Sequence, residues 1–326
     1  MAGRHISVDE AREIAAGILE RAGLTAEEAA AVADIVVWTE LTGYPQIGLA
    51  RLPRMAEYVR RVDRAPIRVE RDGPFSAHLE AGRALGYVTA LRMVEVVEAK
   101  VRATGVGLVT ANGSGLTGRN AYYVERLAEQ GWVAFMVNNF TAVVAPHGSS
   151  EALFGTNPLS VAMPTTGAPL VVDISAATLI DADLRFHRLE GRPLPEGLAF
   201  DREGSATTDA AAAIGGAVKA FGEHRGSALA LAIQAFGVLA GSPPVPAQPD
   251  DSGVFLMAFE PSLFGDPDDI AARLTELLER VRGARPADPA VPVRAPNDRA
   301  LASMEAIRER GIDVSDELSA ALEELR

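Results

Sequence analysis

Proton and hydride chemistry need few residue types, and this sequence is sparing with them. No cysteine occurs in 326 residues, which removes thiolate nucleophiles, disulfides and Cys-ligated metals. Lys100 and Lys219 are the only lysines, so a lysine acid, base or Schiff base has two candidates. His147, in Ala145-Pro-His-Gly148, is a residue type suited to proton transfer near neutral pH; otherwise it is a loop histidine without a role. Tyr44, Tyr87 and Tyr123 are hydroxyl donors or packing residues. Asp173 ends a strand-like run, where it orients a histidine, meets a cofactor or caps the strand. Gly113-Ser-Gly115-Leu-Thr-Gly118 matches G-x-G-x-x-G and stands between a strand and a helix, as a dinucleotide fingerprint does. A Rossmann reading also needs an acid at the end of the next strand to hold the ribose. That strand ends in Asn138-Asn139, and the motif lies far into the chain after several helices. A glycine-rich turn needing positive φ is the better account.

The elements that must position these groups follow from caps and periodicity. Ser7 with Glu10, and Thr25 with Glu28, have capping-box spacing and open helices over roughly 8–22 and 26–42. A third helix over roughly 50–61 follows Gly43 to Gly48, and Gly86 to Thr104 reads as a long amphipathic helix. Val106–Ala111, Trp132–Asn138, Leu159–Met163, Leu170–Ile174 and Gly253–Phe259 are strand-like, with helical patterns between several of them. The class is α/β. Segments 1–72 and 285–326 form helical parts that pack together, and 73–284 forms an α/β region holding the nucleotide and substrate cleft. Proline density makes loops of 241–250 and 285–296, and the tail from Asn297 holds two short helices broken at Gly311.

Apolar residues make up 48% and charged residues 23%, so a sizeable core forms and overall disorder does not. A net charge of −13 argues against nucleic acid and anionic membranes as partners. The longest apolar run, Ala228 to Gly241, is too short to span a bilayer and reads as a buried helix. The opening MAGRHISVDEARE turns charged and helical at once, so no signal peptide is expected and a cytoplasmic protein follows. No metal site is expected.

Several ordered segments resemble the malate/L-lactate dehydrogenase family that is separate from the Rossmann lactate dehydrogenases. Glu40-Leu-Thr-Gly43, then Gly48-Leu-Ala-Arg51-Leu, is similar to its D-L-R-G-x-x-S-H-G-x-x-R-L. Asn112 to Arg119, with the helix that includes Tyr123, resembles N-x-G-H-x-G-R and its tyrosine-led helix. Pro146-His-Gly148 and Gly155-Thr-Asn-Pro158 match P-x-G and G-T-N-P, Asp173-Ile-Ser175 looks like D-x-A, and His224-Arg225-Gly226 sits at H-K-G. Leu194-Pro-Glu-Gly197, Thr207-Thr-Asp209 and Gly311-Ile312 follow in the family's order. The resemblance implies the family's own non-Rossmann α/β fold with helical N- and C-terminal segments, a homodimer, and reduction of 2-oxo acids or carboxylated cyclic imines by NADH or NADPH. It gives Arg51 the substrate carboxylate, which a guanidinium fork suits. It places Gln46, Ile47, Leu116 and Arg119 around the substrate, and Thr156, Asn157, Ser175 and Arg225 at the cofactor.

The pattern breaks at polar positions. The family's Ser-His pair falls on Gln46 and Ile47, its second histidine on Leu116, its Thr-Ser pair on Ala176 and Ala177, and a usual lysine on Asp183. Hydride addition to a ketone builds charge on oxygen, and a positioned acid contributes ~10²–10⁴-fold. Ile47 and Leu116 cannot supply that proton, so 2-oxo acid reduction is expected to be weak unless His147, Tyr123 or another donor has moved in. Three functions stay open: an NAD(P)H-dependent reductase of an imine or activated double bond, a repurposed non-redox enzyme of cyclisation or elimination type with the cofactor lost, and a non-catalytic partner of an active homologue.

Overall fold

Local signals seat the N-terminal helices where the caps predict. In the computed structural model, which describes residues 4–325, Val8–Ala22 is capped by Ser7, whose hydroxyl accepts from Glu10 N at 3.0 Å. The opening segment read for a leader begins at residues 1–3, which lie outside the described residues. Ala26–Leu41 carries the full reciprocal box: Glu28 N donates to Thr25 Oγ1 at 3.2 Å, and Thr25 N to Glu28 Oε2 at 2.9 Å. Leu52–Arg61 and Gly86–Thr104 complete the predicted set.

Seven strands form the main sheet. Across it they run Arg68–Asp72, Ser76–Glu80, Val106–Ser114, Ser252–Phe259, Val133–Asn138, Leu159–Met163 and Leu170–Ile174. Only Ser76–Glu80 and Val106–Ser114 pair in parallel, joined by the Gly86–Thr104 helix; every other neighbouring pair in this sheet is antiparallel. This is α/β, and it is not the doubly wound parallel sheet of a Rossmann fold. Arg68–Asp72 belongs to the sheet edge rather than to the helical part. Ser252–Phe259 arrives from far along the chain and lies between Val106–Ser114 and Val133–Asn138.

The chain's ends meet. Arg4–Ile6 pairs antiparallel with Ile312–Val314, a strand that interrupts the tail where only a helix break was expected. Asp298–Arg310 packs on Ala26–Leu41, and Asp316–Glu323 on Leu52–Arg61. One continuous core runs from Ile14, Ile18 and Val36 through Leu52 and Met93 to Leu256. A separate small core, with Val144, Leu184, Leu194 and Val218, lies beside a four-stranded sheet in the order Ala206–Thr207, Ala199–Phe200, Ala217–Lys219, Val144–Ala145.

The apolar run at Ala228 is not the buried helix its composition suggests. His224–Leu239 packs one face on the sheet through Ile233 and Phe236, the Phe236 ring 5.1 Å from Phe255. Its other face, Ala228, Leu231, Ala232, Ala235, Val238 and Leu239, is exposed, with Leu231 at 60% and Leu239 at 69%. No helix among the described residues is long and apolar enough to cross a membrane.

Candidate active-site cleft

Three segments of distant sequence converge on one cleft of about 280 Å³, at the small end of ligand sites. They are the turn from Tyr44 to Arg51, the loop from Leu116 to Asn120, and the stretch from Asp173 to Asp183. Asn138, Phe140, Thr156 and Pro158 close it.

The first segment is fixed from beneath. Glu40 is 6% exposed, and its Oε2 accepts from Leu49 N at 2.8 Å. A side chain at Gly48 would bring Cβ within 2.1 Å of that oxygen, so only glycine lets the turn close over the carboxylate. Burial pushes the Glu40 carboxyl up to about 7. The short helical turn Pro45–Ile47 thereby presents Gln46 and Ile47 to the cleft, and Arg51 enters it just before the Leu52–Arg61 helix. The Arg51 Nε is buried without a partner. Arg54, one turn on, is ion-paired with Asp181, which also takes Arg185 Nε at 2.9 Å. Burial, then the charge of Arg51, lowers Arg54 to about 10, so it stays a cation at neutral pH.

The second segment carries the glycine-rich motif. Gly118 has φ +74°, and a Cβ there would lie 2.4 Å from the Tyr87 ring. These glycines serve a turn and a close ring contact. Leu116 is 2% exposed and adds an apolar wall. Arg119 is buried between aromatic faces, its guanidinium carbon 4.1 Å from the Tyr44 centroid and 5.0 Å from that of Trp38. Its Nε donates to Asp173 Oδ2 at 3.1 Å, and the other oxygen of Asp173 takes the Ser160 hydroxyl. Asp173 therefore holds an arginine, not a histidine.

The sequence-predicted site residues separate into two groups. Gln46, Ile47, Arg51, Leu116, Arg119, Asp173, Thr156 and Ser175 all line the cleft. Tyr123 does not: it is fully buried, its hydroxyl donates to Thr117 O at 2.7 Å, and burial raises its pKa well above the ordinary value. Asn157 lies behind the cleft, donating to Ala230 O at 2.8 Å and Gln234 Oε1 at 2.9 Å. His147 is exposed beside the small sheet, its ring 6.1 Å from that of His224, and Arg225 is exposed at the start of the same helix. Sequence reasoning missed Asn120, Arg54, Asp181 and the cleft role of Asp183. Arg54 had a signal, standing three residues from Arg51 on one helical face; Asn120 had none.

A reduced nicotinamide fits the donor set. Arg119 Nη1 and Asn120 Oδ1 are both buried without partners, a donor and an acceptor that an amide group complements. Asn120 is itself fixed by its Nδ2 donating to Asn138 Oδ1 at 2.7 Å. Among the described residues no group of three His, Asp or Glu side chains is arranged to hold a metal.

The family model for malate/L-lactate dehydrogenase matches residues 6–323. The chain belongs to that family. It is 33% identical to the (2R)-3-sulfolactate dehydrogenase (NADP(+)) of Chromohalobacter salexigens, over 85% of this chain and 88% of that protein. It is 30% identical to the Δ1-pyrroline-2-carboxylate reductase of Pseudomonas fluorescens, over 95% of each. The crystal structure of a dehydrogenase from Sinorhizobium meliloti superposes with a TM-score of 0.92 at 30% identity, covering 99% of this chain and 98% of that one. Members of the family are oxidoreductases that use NAD(P)H and act on small molecules.

Proposed function

We propose that the protein is a cytoplasmic NAD(P)H-dependent reductase that acts on an imine or activated double bond in a small carboxylic acid, not on a simple 2-oxo acid. The observation that carries this reading is the make-up of one cleft. Arg51 offers a guanidinium with an unpartnered buried Nε, while the wall beside it, Ile47 and Leu116, has no proton to give. When bound, the reduced nicotinamide supplies the hydride. Arg119 and Asn120, with Thr156 and Ser175 beside them in the cleft, would hold it, and Arg51 would orient the substrate carboxylate. Ile47, Leu116 and Phe140 exclude water from the reacting carbon.

The relative that reduces a cyclic imine acid gives the test its substrate. NADH and NADPH are titrated calorimetrically, and oxidation of the bound nucleotide is followed with Δ1-pyrroline-2-carboxylate and with pyruvate or oxaloacetate. The imine acid is expected to turn over about 100-fold faster, the contribution of the absent acid. Arg51→Ala should lower kcat/KM for it by a comparable factor, about 100-fold, as loss of a charge-assisted contact does. Failure to bind either nucleotide at millimolar concentration removes the redox reading and leaves a non-redox use of the apolar cleft.

The exposed apolar face of the His224–Leu239 helix supports a homodimer, since a second copy of that face would cover it about a two-fold axis. Sedimentation should show a dimer that Leu231→Asp dissociates; a monomeric wild type sinks the assignment.

A further inference from the structure

Most charges in the cleft cancel within the chain. Asp173 pairs with Arg119, and Asp181 with Arg54 and Arg185. Two groups remain. Arg51 makes no ion pair among the described residues, and its Nε has no hydrogen-bond partner. Asp183 likewise has no cation in ion-pair contact among the described residues. It accepts Ile180 N at 2.8 Å as part of its helix cap, and the side-chain amide of Gln46, which also lines the cleft, favours its charged form. A carboxylate has about four acceptor positions, so the cap leaves it able to take more. The cleft thus offers one free positive and one free negative group, with Ile47, Leu116 and Phe140 supplying apolar surface.

We infer that Asp183 is the cleft's recognition pole for a protonated nitrogen, and that it sets a preference for amphoteric imino acids over 2-oxo acids. This rests on the reductase reading above and names its substrate class. The chemistry balances without an acid from the protein. Hydride adds to the iminium carbon, the C=N π pair moves onto nitrogen and cancels its positive charge, and the nitrogen keeps the proton it brought. The product amine takes its second proton later from water. A ketone substrate needs a proton delivered to oxygen in the same step, which Ile47 and Leu116 do not provide. Burial raises the Asp183 carboxyl above its ordinary range, the Ile180 amide, Gln46 and the charge of His187 pull it back, and as a carboxylate it opposes a second anionic group on the substrate.

The test uses equilibrium binding, so that it stands apart from turnover. L-proline carries a carboxylate and an ammonium on a five-membered ring; cyclopentanecarboxylate has the same ring and carboxylate without nitrogen. Calorimetric titrations of the whole protein, with and without NADPH, are expected to show proline binding roughly tenfold or more tightly, the worth of one charge-assisted hydrogen bond. Asp183→Asn keeps an acceptor for Ile180 N and so keeps the cap; it should bring the two affinities to within about twofold by losing the charge. Arg51→Ala should weaken both ligands. Equal affinities in the wild type, binding of neither ligand, or a preference that survives Asp183→Asn overturns the assignment. Proline discrimination without nucleotide oxidation would instead remove the reductase reading and leave the nitrogen pole standing.

Discussion

The main-sheet cleft and the small-sheet lobe carry similar residues and use them differently. Each has an arginine that could meet a ligand, and the lobe has His147 and His224 besides. In the cleft the polar groups are buried, stacked and in part left without partners, as Arg51 Nε, Arg119 Nη1 and Asn120 Oδ1 are. Around the lobe His147, His224 and Arg225 face solvent. A group in water loses nothing by lacking a partner, whereas a buried one is costly unless something complements it. Unsatisfied buried groups occur elsewhere in the core as well, and it is their convergence on one opening, more than residue type, that marks the place where a ligand fits.

The strongest way to break this comparison is to remove the cation that neutralises the cleft's edge. Arg119→Ala strands Asp173 at a site where both partners are largely buried, and should cost roughly 3–5 kcal/mol in chemical denaturation, with Asp173→Asn recovering much of it. A loss below about 1 kcal/mol would mean that the pair is solvated like a surface pair, and the distinction would fail.

Next in size is Glu40, which supports the Gln46–Ile47 turn. Its folded pKa is raised, so below its ordinary 4.5 its contribution is fully present, and it is lost as pH rises through about 7. The change amounts to about 3 kcal/mol. Glu40→Gln keeps an acceptor for Leu49 N and should flatten that part of the stability profile, read from denaturation midpoints across the same pH range. An unchanged slope would place the carboxyl in contact with water.

The smallest effects belong to the lobe. His147→Ala and Arg225→Ala should each shift stability by no more than about 0.5 kcal/mol, as exposed substitutions do. A large loss of turnover in either would bring the small sheet into the reaction and sharpen where the cofactor's far end lies.

Much of the architecture was legible before any coordinates. Ser7, Thr25 and Glu28 announce two helices because a cap is a contact between residues three apart, and the Val106, Leu159 and Leu170 strands announce themselves by composition and spacing. The order of the family segments located Arg51, Leu116, Arg119 and Asp173 because a motif is itself a string. Other features have no local signature. The Ser252–Phe259 strand enters the middle of the sheet after a long excursion, and Arg4–Ile6 finds Ile312–Val314 across the whole chain; both pairings are contacts between distant segments. Composition made the Ala228 run look buried, yet only packing decides which of its faces meets the sheet.

The sequence by itself determined which groups exist: no thiol, two lysines, and apolar side chains at Ile47 and Leu116. Those identities bound the chemistry whatever the fold. The tertiary structure decided which charges cancel. Asp173, Asp181 and Asp183 look equivalent along the chain, and only the approach of Arg119 to the first and of Arg54 and Arg185 to the second leaves Asp183, among the described residues, without an ion-pair partner in the cleft it shares with Arg51. Electrostatic pairing depends on distance and burial in space, and neither is written in a residue's neighbours along the chain.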